Sequence, residues 1–360
     1  MVNDIDGATK SSLIRFWITA VGVLVIGLLA IVYTPGQDHL GAITLDGDPT
    51  WYRNYGDGIR REIQDRDIFF HDIGHSIAYA RQADIIFLGH SMLLYGLDWR
   101  TTREFEKKYG VKIYNLGSAG DASGEFLLRV IKKHGLHPKL WIINVDNTGT
   151  NFFYRSLDNF GQFGTSAADS VLRYGRWHAM KNVFSRNINW RIEMIARRFF
   201  PEWVIRKIYR TGTGMTFYRA PADGNLFLDK VPGYTLKKEQ TMEVLHDPHC
   251  PAPQAEIEGA RNYLKEIGGS AIFIQVPHAN ECRQHVLETA KALGVPALVF
   301  DQTAFTSWDR GGHLNRDGAQ KFTSLMLSQL EALPEFQHLF LPTAGHILPE
   351  YKSGPIAPTN

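Results

Sequence analysis

The chain has 360 residues, with 39 Lys and Arg against 37 Asp and Glu, a net charge of +2. That balance points away from nucleic acid as a partner, and no basic stripe interleaved with aromatics is expected. Hydrophobic residues make up 44%, so a sizeable core can form and disorder is not the default.

The N-terminal region carries the first long signal. From Phe16 to Gln37 no side chain is charged, and "FWITAVGVLVIGLLAIVY" is almost wholly apolar. A helix of that length crosses a hydrocarbon core. Trp17 and Tyr33 stand near its ends, where amphipathic rings prefer the interface. "IVYTPGQD" follows without a small-x-small cleavage site, which favours a retained anchor over a cleaved signal peptide. Lys10 and Arg15 precede the span, and the next Lys or Arg is Arg53. The positive-inside rule then places the N-terminus in the cytoplasm and the large domain outside it, and a single-pass inner-membrane protein with a periplasmic or otherwise extracytoplasmic domain is the expected localisation. The expected layout is a cytoplasmic tail (1–12), a transmembrane anchor (13–34), a Gly-, Asp- and Pro-rich tether and lead-in (35–78), an α/β domain (79–340) and a C-terminal tail (341–360).

Beyond the lead-in the pattern alternates. "DIIFLG" (84–89) reads as a strand, "DWRTTREFEKKYG" (98–110) as a helix stopped by Gly110, and "VKIYNLG" (111–117) as a second strand. "GEFLLRVIKKHG" (124–135) is a helix and "LWIINV" (140–145) a third strand. Residues 150–250 break the rhythm and read as an insertion, partly helical, bordering a site. The alternation then resumes with a helix (254–269), a strand (270–277), a helix (281–294), a strand (296–300) and a closing helix (316–333). About five near-continuous apolar strands separated by helices predict a parallel sheet covered on both faces.

Sites in such sheets form at the carboxyl ends of the strands. Gly89, His90 and Ser91 follow the first strand. Gly117, Ser118 and Gly120 follow the second, and Asp146, Asn147 and Gly149 the third. Asp309 and His313 lie beyond the fifth. A nucleophile, close-approach glycines, an amide and an Asp/His pair on one edge are the parts of an acyl-transfer site. A serine hydroxyl needs an adjacent base, here His313, and the imidazole needs an orienting carboxylate, here Asp309. Backbone N–H groups of Ser91 and Gly120 and the Asn147 amide are the expected oxyanion donors. His90 is read as a turn residue in preference to a catalytic one.

These blocks resemble the SGNH hydrolases, or GDSL family, in content and chain order. "IIFLGHS" is similar to that family's strand followed by Gly-Asp-Ser, and "YNLGSAGD" to its second block, with Gly120 at the glycine. "INVDNTG" is a partial match to its Gly-x-Asn-Asp block through Asn147. Asp309-x-x-x-His313 followed by "LNRDGAQKF" resembles its Asp-x-x-His and closing helix. Three departures stand out: His90 replaces the usual Asp, the third block lacks its glycine and its Asn-Asp order, and the Asp-to-His spacing is one residue longer. The resemblance covers roughly residues 80–150 and 250–335. It implies a flavodoxin-like three-layer α/β/α fold and a serine esterase or O-acyltransferase with Ser91, His313 and Asp309 as triad. It implies no cofactor or metal, an acyl-ester or cell-envelope glycan substrate, and a multi-span membrane acyltransferase as partner. The alternative of a different class is an inactive scaffold or glycan-binding subunit on the same fold. The two cysteines, Cys250 and Cys282, suit a disulfide in an oxidising compartment or stand as free thiols, ahead of a zinc site with the nearby His246 and His249.

Overall fold

The structure, a computed structural model, describes residues 4–32, 43–45, 48–56, 65–118, 124–145, 153, 175–182, 185, 196, 199–201, 203–204, 215–230, 240–241, 250–279, 283–307 and 313–341. Helix α1 (Asp4–Val32) opens the chain, followed by β1 (Ile43–Leu45) and β2 (Asp48–Gly56). Next come α2 (Asp65–His71), α3 (Ser76–Ala80), β3 (Ile85–Leu88), α4 (Ser91–Gly96), α5 (Trp99–Tyr109), β4 (Ile113–Asn115), α6 (Gly124–His134) and β5 (Leu140–Asn144). The middle region supplies β6 (Met215–Arg219), β7 (Leu226–Lys230) and β8 (Gln240–Thr241). The chain continues through α7 (Gln254–Ile267), β9 (Ser270–Ile274), α8 (Arg283–Leu293), β10 (Ala297–Leu298), β11 (Thr306–Ser307), α9 (Arg316–Ala332) and α10 (Pro334–Phe340).

The central sheet has five parallel strands in the order β10-β9-β5-β3-β4. Counted along the chain this is 2-1-3-4-5, one of the two common doubly wound orders. Its strands are apolar on both faces because both faces are covered. Along β3, Ile86 and Leu88 join one buried cluster with Phe126 and Val130 of α6 and Tyr263 of α7. Ile85 and Phe87 join the opposite cluster, with Leu93 of α4, Phe105 of α5 and Phe322 and Met326 of α9. Successive residues of a strand point to opposite faces, so a four-residue run feeds two cores. The result is a three-layer α/β arrangement, and each of the five expected strands takes its place in it.

The lead-in and the insertion contain more order than their composition suggests. β1, β2, β6 and β7 form a four-stranded antiparallel sheet, with Tyr52 paired to Arg219 and Gly56 to Thr216. Ile68, Phe69 and Ile77 of α2 and α3 are fully buried in the first cluster. Among the described residues no helix is long and apolar enough to cross a membrane. Cys250 is disulfide-bonded and so offers no thiolate to a metal. The chain's other cysteine, Cys282, lies outside the described residues, as do His246 and His249.

Candidate active site

Ser91 is the first residue of α4, three residues beyond the end of β3. That corner lies between β3 and β5, where the β3-to-β4 and β4-to-β5 crossovers run in opposite directions along the sheet, the switch point at which doubly wound sheets open a crevice. The turn is tight. A Cβ on Gly89 would come within 2.8 Å of Leu93 Cδ2 and 3.0 Å of Asn144 Cβ, so only glycine lets the chain pass between α4 and β5. His90 takes extended backbone angles and its Nδ1 accepts the N–H of Met92 at 3.4 Å. This is the N-cap role that an Asp at the same place fills through a carboxylate oxygen. His90 therefore supplies a capping acceptor, at the long end of hydrogen-bond geometry.

His313 comes from the other end of the domain. Its Nε2 lies 3.0 Å from Ser91 Oγ, within reach for the hydroxyl to donate to it. The contact is held from both sides. Tyr95, one helical turn after Ser91 on α4, meets the imidazole edge to face with ring centroids 4.8 Å apart and planes at 90°. On the His313 side, Leu314 bridges to Ser307 of β11, and β11 in turn pairs with β8. Asn315 caps α9 by accepting the N–H of Gly318 at 2.8 Å, and its Oδ1 also takes the Thr306 hydroxyl at 2.7 Å. Further along, Thr323 of α9 receives the N–H of Asp98 at 2.9 Å, docking α9 on the α4–α5 corner. Ser91 thus opens α4, and His313 stands two residues before the N-cap of α9, so both are tied to helices packed on the core.

The second loop is tied to the same corner. Ser118 donates its N–H to the Gly89 carbonyl at 3.1 Å, and Leu116 donates to Phe87 at 2.9 Å. Asn115, fully buried, accepts the Gly117 N–H on Oδ1 at 2.9 Å. Asn115 is gripped from outside the parallel sheet. Arg219 of β6 donates to its carbonyl, and its N–H donates to the Asp223 carbonyl at 2.8 Å. Arg219 is wholly buried, paired with Asp65 at 2.7 Å and stacked over Phe69 at 4.5 Å. Asp223 holds Arg103 of α5 at 2.7 Å. Gly224, at φ +68°, is where the β6–β7 turn meets β4; a Cβ there would fall 2.1 Å from the Asn115 carbonyl oxygen. The buried Tyr114 phenol beside this cluster is pushed up by desolvation.

Of the expected site residues, Ser91 and His313 come together. Asp309, Gly120 and Asn147 lie outside the described residues. Asn144, three residues before Asn147, is fully buried and spends its Oδ1 on the Val276 N–H at 2.9 Å, joining β5 to the loop after β9. Tyr95, Arg219 and Asp223 are not visible as site residues in the sequence. Tyr95 had a signal in its i, i+4 spacing from Ser91. The β6–β7 hairpin had one in "MTFYRAPADGNLFLDK", two β-rich runs around an Asp-Gly. Chemically, a serine hydroxyl against an imidazole at the open end of a sheet suits nucleophilic attack on a carbonyl. The Ser91 N–H, in the first turn of α4, is among the backbone donors that no intrahelical carbonyl takes. Compared with known proteins, the chain matches no family model and no curated relative.

Proposed function

We propose that this chain is a membrane-anchored, extracytoplasmic serine esterase or O-acyltransferase of the SGNH type, acting on ester groups of a cell-envelope glycan. The observation that carries the reading is the 3.0 Å approach of His313 Nε2 to Ser91 Oγ at the switch point of the sheet. Ser91 Oγ attacks the ester carbonyl carbon as His313 takes its proton. The tetrahedral oxyanion is met by the N–H groups of Ser91 and Gly120 and by the Asn147 amide. The C–O bond then breaks, His313 returns the proton to the leaving alcohol, and the acyl group remains on Ser91. Water resolves the acyl-enzyme in a hydrolase and a sugar hydroxyl resolves it in a transferase; His313 deprotonates either. Asp309 orients the imidazole and stabilises its protonated form.

The anchor rests on the uncharged sequence from Phe16 to Gln37 and on the form of α1. Its exposed apolar residues, among them Leu13, Phe16, Trp17, Ile18, Val21 and Val25, fall on all sides of the helix. A helix apolar all round needs a core or a bilayer around it. A multi-span acyltransferase that brings an acyl group across the same membrane is the partner this arrangement suits.

The test uses the full chain in detergent with p-nitrophenyl acetate and a fluorophosphonate probe. Ser91→Ala and His313→Asn should each lower turnover by at least about a thousandfold and abolish labelling, with melting temperature little changed. A wild-type chain that neither turns over the ester nor takes the probe would sink the enzyme reading and leave the scaffold alternative.

A further inference from the structure

The near-zero net charge of the chain conceals a segregated stretch. Residues 173–210 hold ten Lys or Arg against two Glu, a local charge of +8 in a chain whose total is +2. Eight aromatic residues, three of them Trp, are interleaved with those charges. The expectation of no basic, aromatic-interleaved stripe therefore fails for this part of the insertion.

The structure places several of its large apolar side chains in solvent. In the helical segment 176–182, Ala179 is 1% exposed and packs into the core, while Trp177 is 78% and Met180 41% exposed. Arg176 and Lys181, on the same segment, are also exposed. Further on, Phe199 is 73%, Phe200 53% and Trp203 69% exposed, around the break at Pro201. Among the described residues, every large hydrophobic side chain more than half exposed lies either on α1 or between Trp177 and Trp203. The helix turns its smallest apolar residue inward and its largest outward, the reverse of what a water-facing surface selects.

We infer that the exposed Trp177, Met180, Phe199, Phe200 and Trp203, with the basic Arg176 and Lys181, form a second membrane contact that lies on an anionic bilayer. The inference rests on the anchor reading of α1 for proximity. Basic residues interleaved with Trp and Phe suit the headgroup region of anionic lipid, where rings enter the acyl boundary and cations meet phosphates. An anionic polysaccharide would satisfy the charge, but Phe199, Phe200 and Met180 offer it no polar group and gain most from hydrocarbon. With α1 attached nearby, the surface binds at high effective concentration, so modest intrinsic affinity is enough. Two attachments fix how the domain sits on the membrane, where a single helix would leave it free to swing.

The experiment uses the full chain with vesicles of phosphatidylcholine alone or mixed with phosphatidylglycerol. Flotation reports the anchor, and hydrogen exchange of peptides within 173–210 reports the surface. The chain should float with both vesicles. Exchange in 173–210 should slow by about tenfold or more on the anionic vesicles only. The triple variant Trp177→Ser/Phe199→Ser/Trp203→Ser should lose that protection and still float, as should Arg176→Gln/Lys181→Gln/Arg197→Gln/Arg198→Gln. Equal exchange on the two lipids overturns the inference. Protection by soluble polygalacturonate but not by anionic vesicles overturns it in favour of a glycan surface. Failure to float on neutral lipid defeats the anchor reading instead, and exchange on anionic vesicles still decides the surface.

Discussion

The two large sheets of this protein are put together by different rules. The parallel sheet is local and apolar: its strands are short runs, and the inner ones, such as Ile85–Leu88 and Leu140–Asn144, are buried throughout. The antiparallel sheet joins β1 and β2 to β6 and β7, with most of the parallel sheet's sequence lying between them. It reaches the helices beside the parallel sheet through charge, with Arg219 on Asp65 and Asp223 on Arg103, and β4 itself through two bonds to the Asn115 backbone. The first sheet makes the site's frame. The second grips the loop that carries the expected oxyanion glycine.

The difference predicts unequal responses to mutation. Ile143→Ala, in the middle of the parallel sheet, should cost about 2–5 kcal/mol, set by the cavity it leaves. Arg219→Met removes one partner of a buried ion pair and should cost about 3–5 kcal/mol, because Asp65 is then left charged without its counter-ion. The comparison sharpens with Asp65→Leu/Arg219→Met, which should be more stable than Arg219→Met alone. No apolar pair in the parallel sheet behaves that way. Urea denaturation of the four chains measures it, and a double variant less stable than Arg219→Met would show that the attachment does not work through paired charge.

The same contrast explains what could be read beforehand. The five core strands and their helices were legible because an apolar run between a glycine and a helix needs no distant partner to be recognised. Ser91 and His313 were legible because the carboxyl ends of such strands are few, and those residues stand just beyond them or beside a helix cap. The lead-in and insertion were opaque because strands such as Met215–Arg219 acquire their meaning only when paired with Asp48–Gly56. Asp-Gly at 46–47 and at 223–224 marked both hairpins, yet composition alone made the first look like a tether. The role of Arg219 had no sequence signal, since its partners Asp65 and Phe69 on α2 and Asn115 on β4 lie more than a hundred residues before it.

A smaller perturbation tests whether the grip of the hairpin matters to the site. Gly224→Ala demands a left-handed backbone angle from a residue with a Cβ and places that Cβ against the Asn115 carbonyl. The strain should cost about 1–3 kcal/mol. Because Asn115 orients Gly117, the turnover number for p-nitrophenyl acetate should fall while KM changes little. Pro221→Ala, in the same turn, should leave both unchanged. Loss of stability with an unchanged turnover number would confine the hairpin to a structural role.

The smallest effect concerns how α2, a helix of the lead-in, is held on the parallel domain. His134 at the end of α6 reaches the Phe70 carbonyl of α2 at 3.1 Å through Nε2, and Lys133 donates to the same oxygen at 2.6 Å. Burial holds the His134 imidazole below its ordinary value of 6.5, with Lys133 and Arg81 adding to that and the Phe70 carbonyl and Asp72 opposing it. The folded state then binds fewer protons than the unfolded chain, so this contribution is present above 6.5 and is lost as pH falls below it. His134→Gln keeps a donor for Phe70 and removes the titration. Its urea midpoint should therefore decline less than the wild type's between about pH 7 and pH 5.5, the interval just around and below the unfolded histidine value. Identical slopes for the two chains would mean that α2 is held by its apolar contacts with the core, Ile68 and Phe69 above all, and not by this polar clasp.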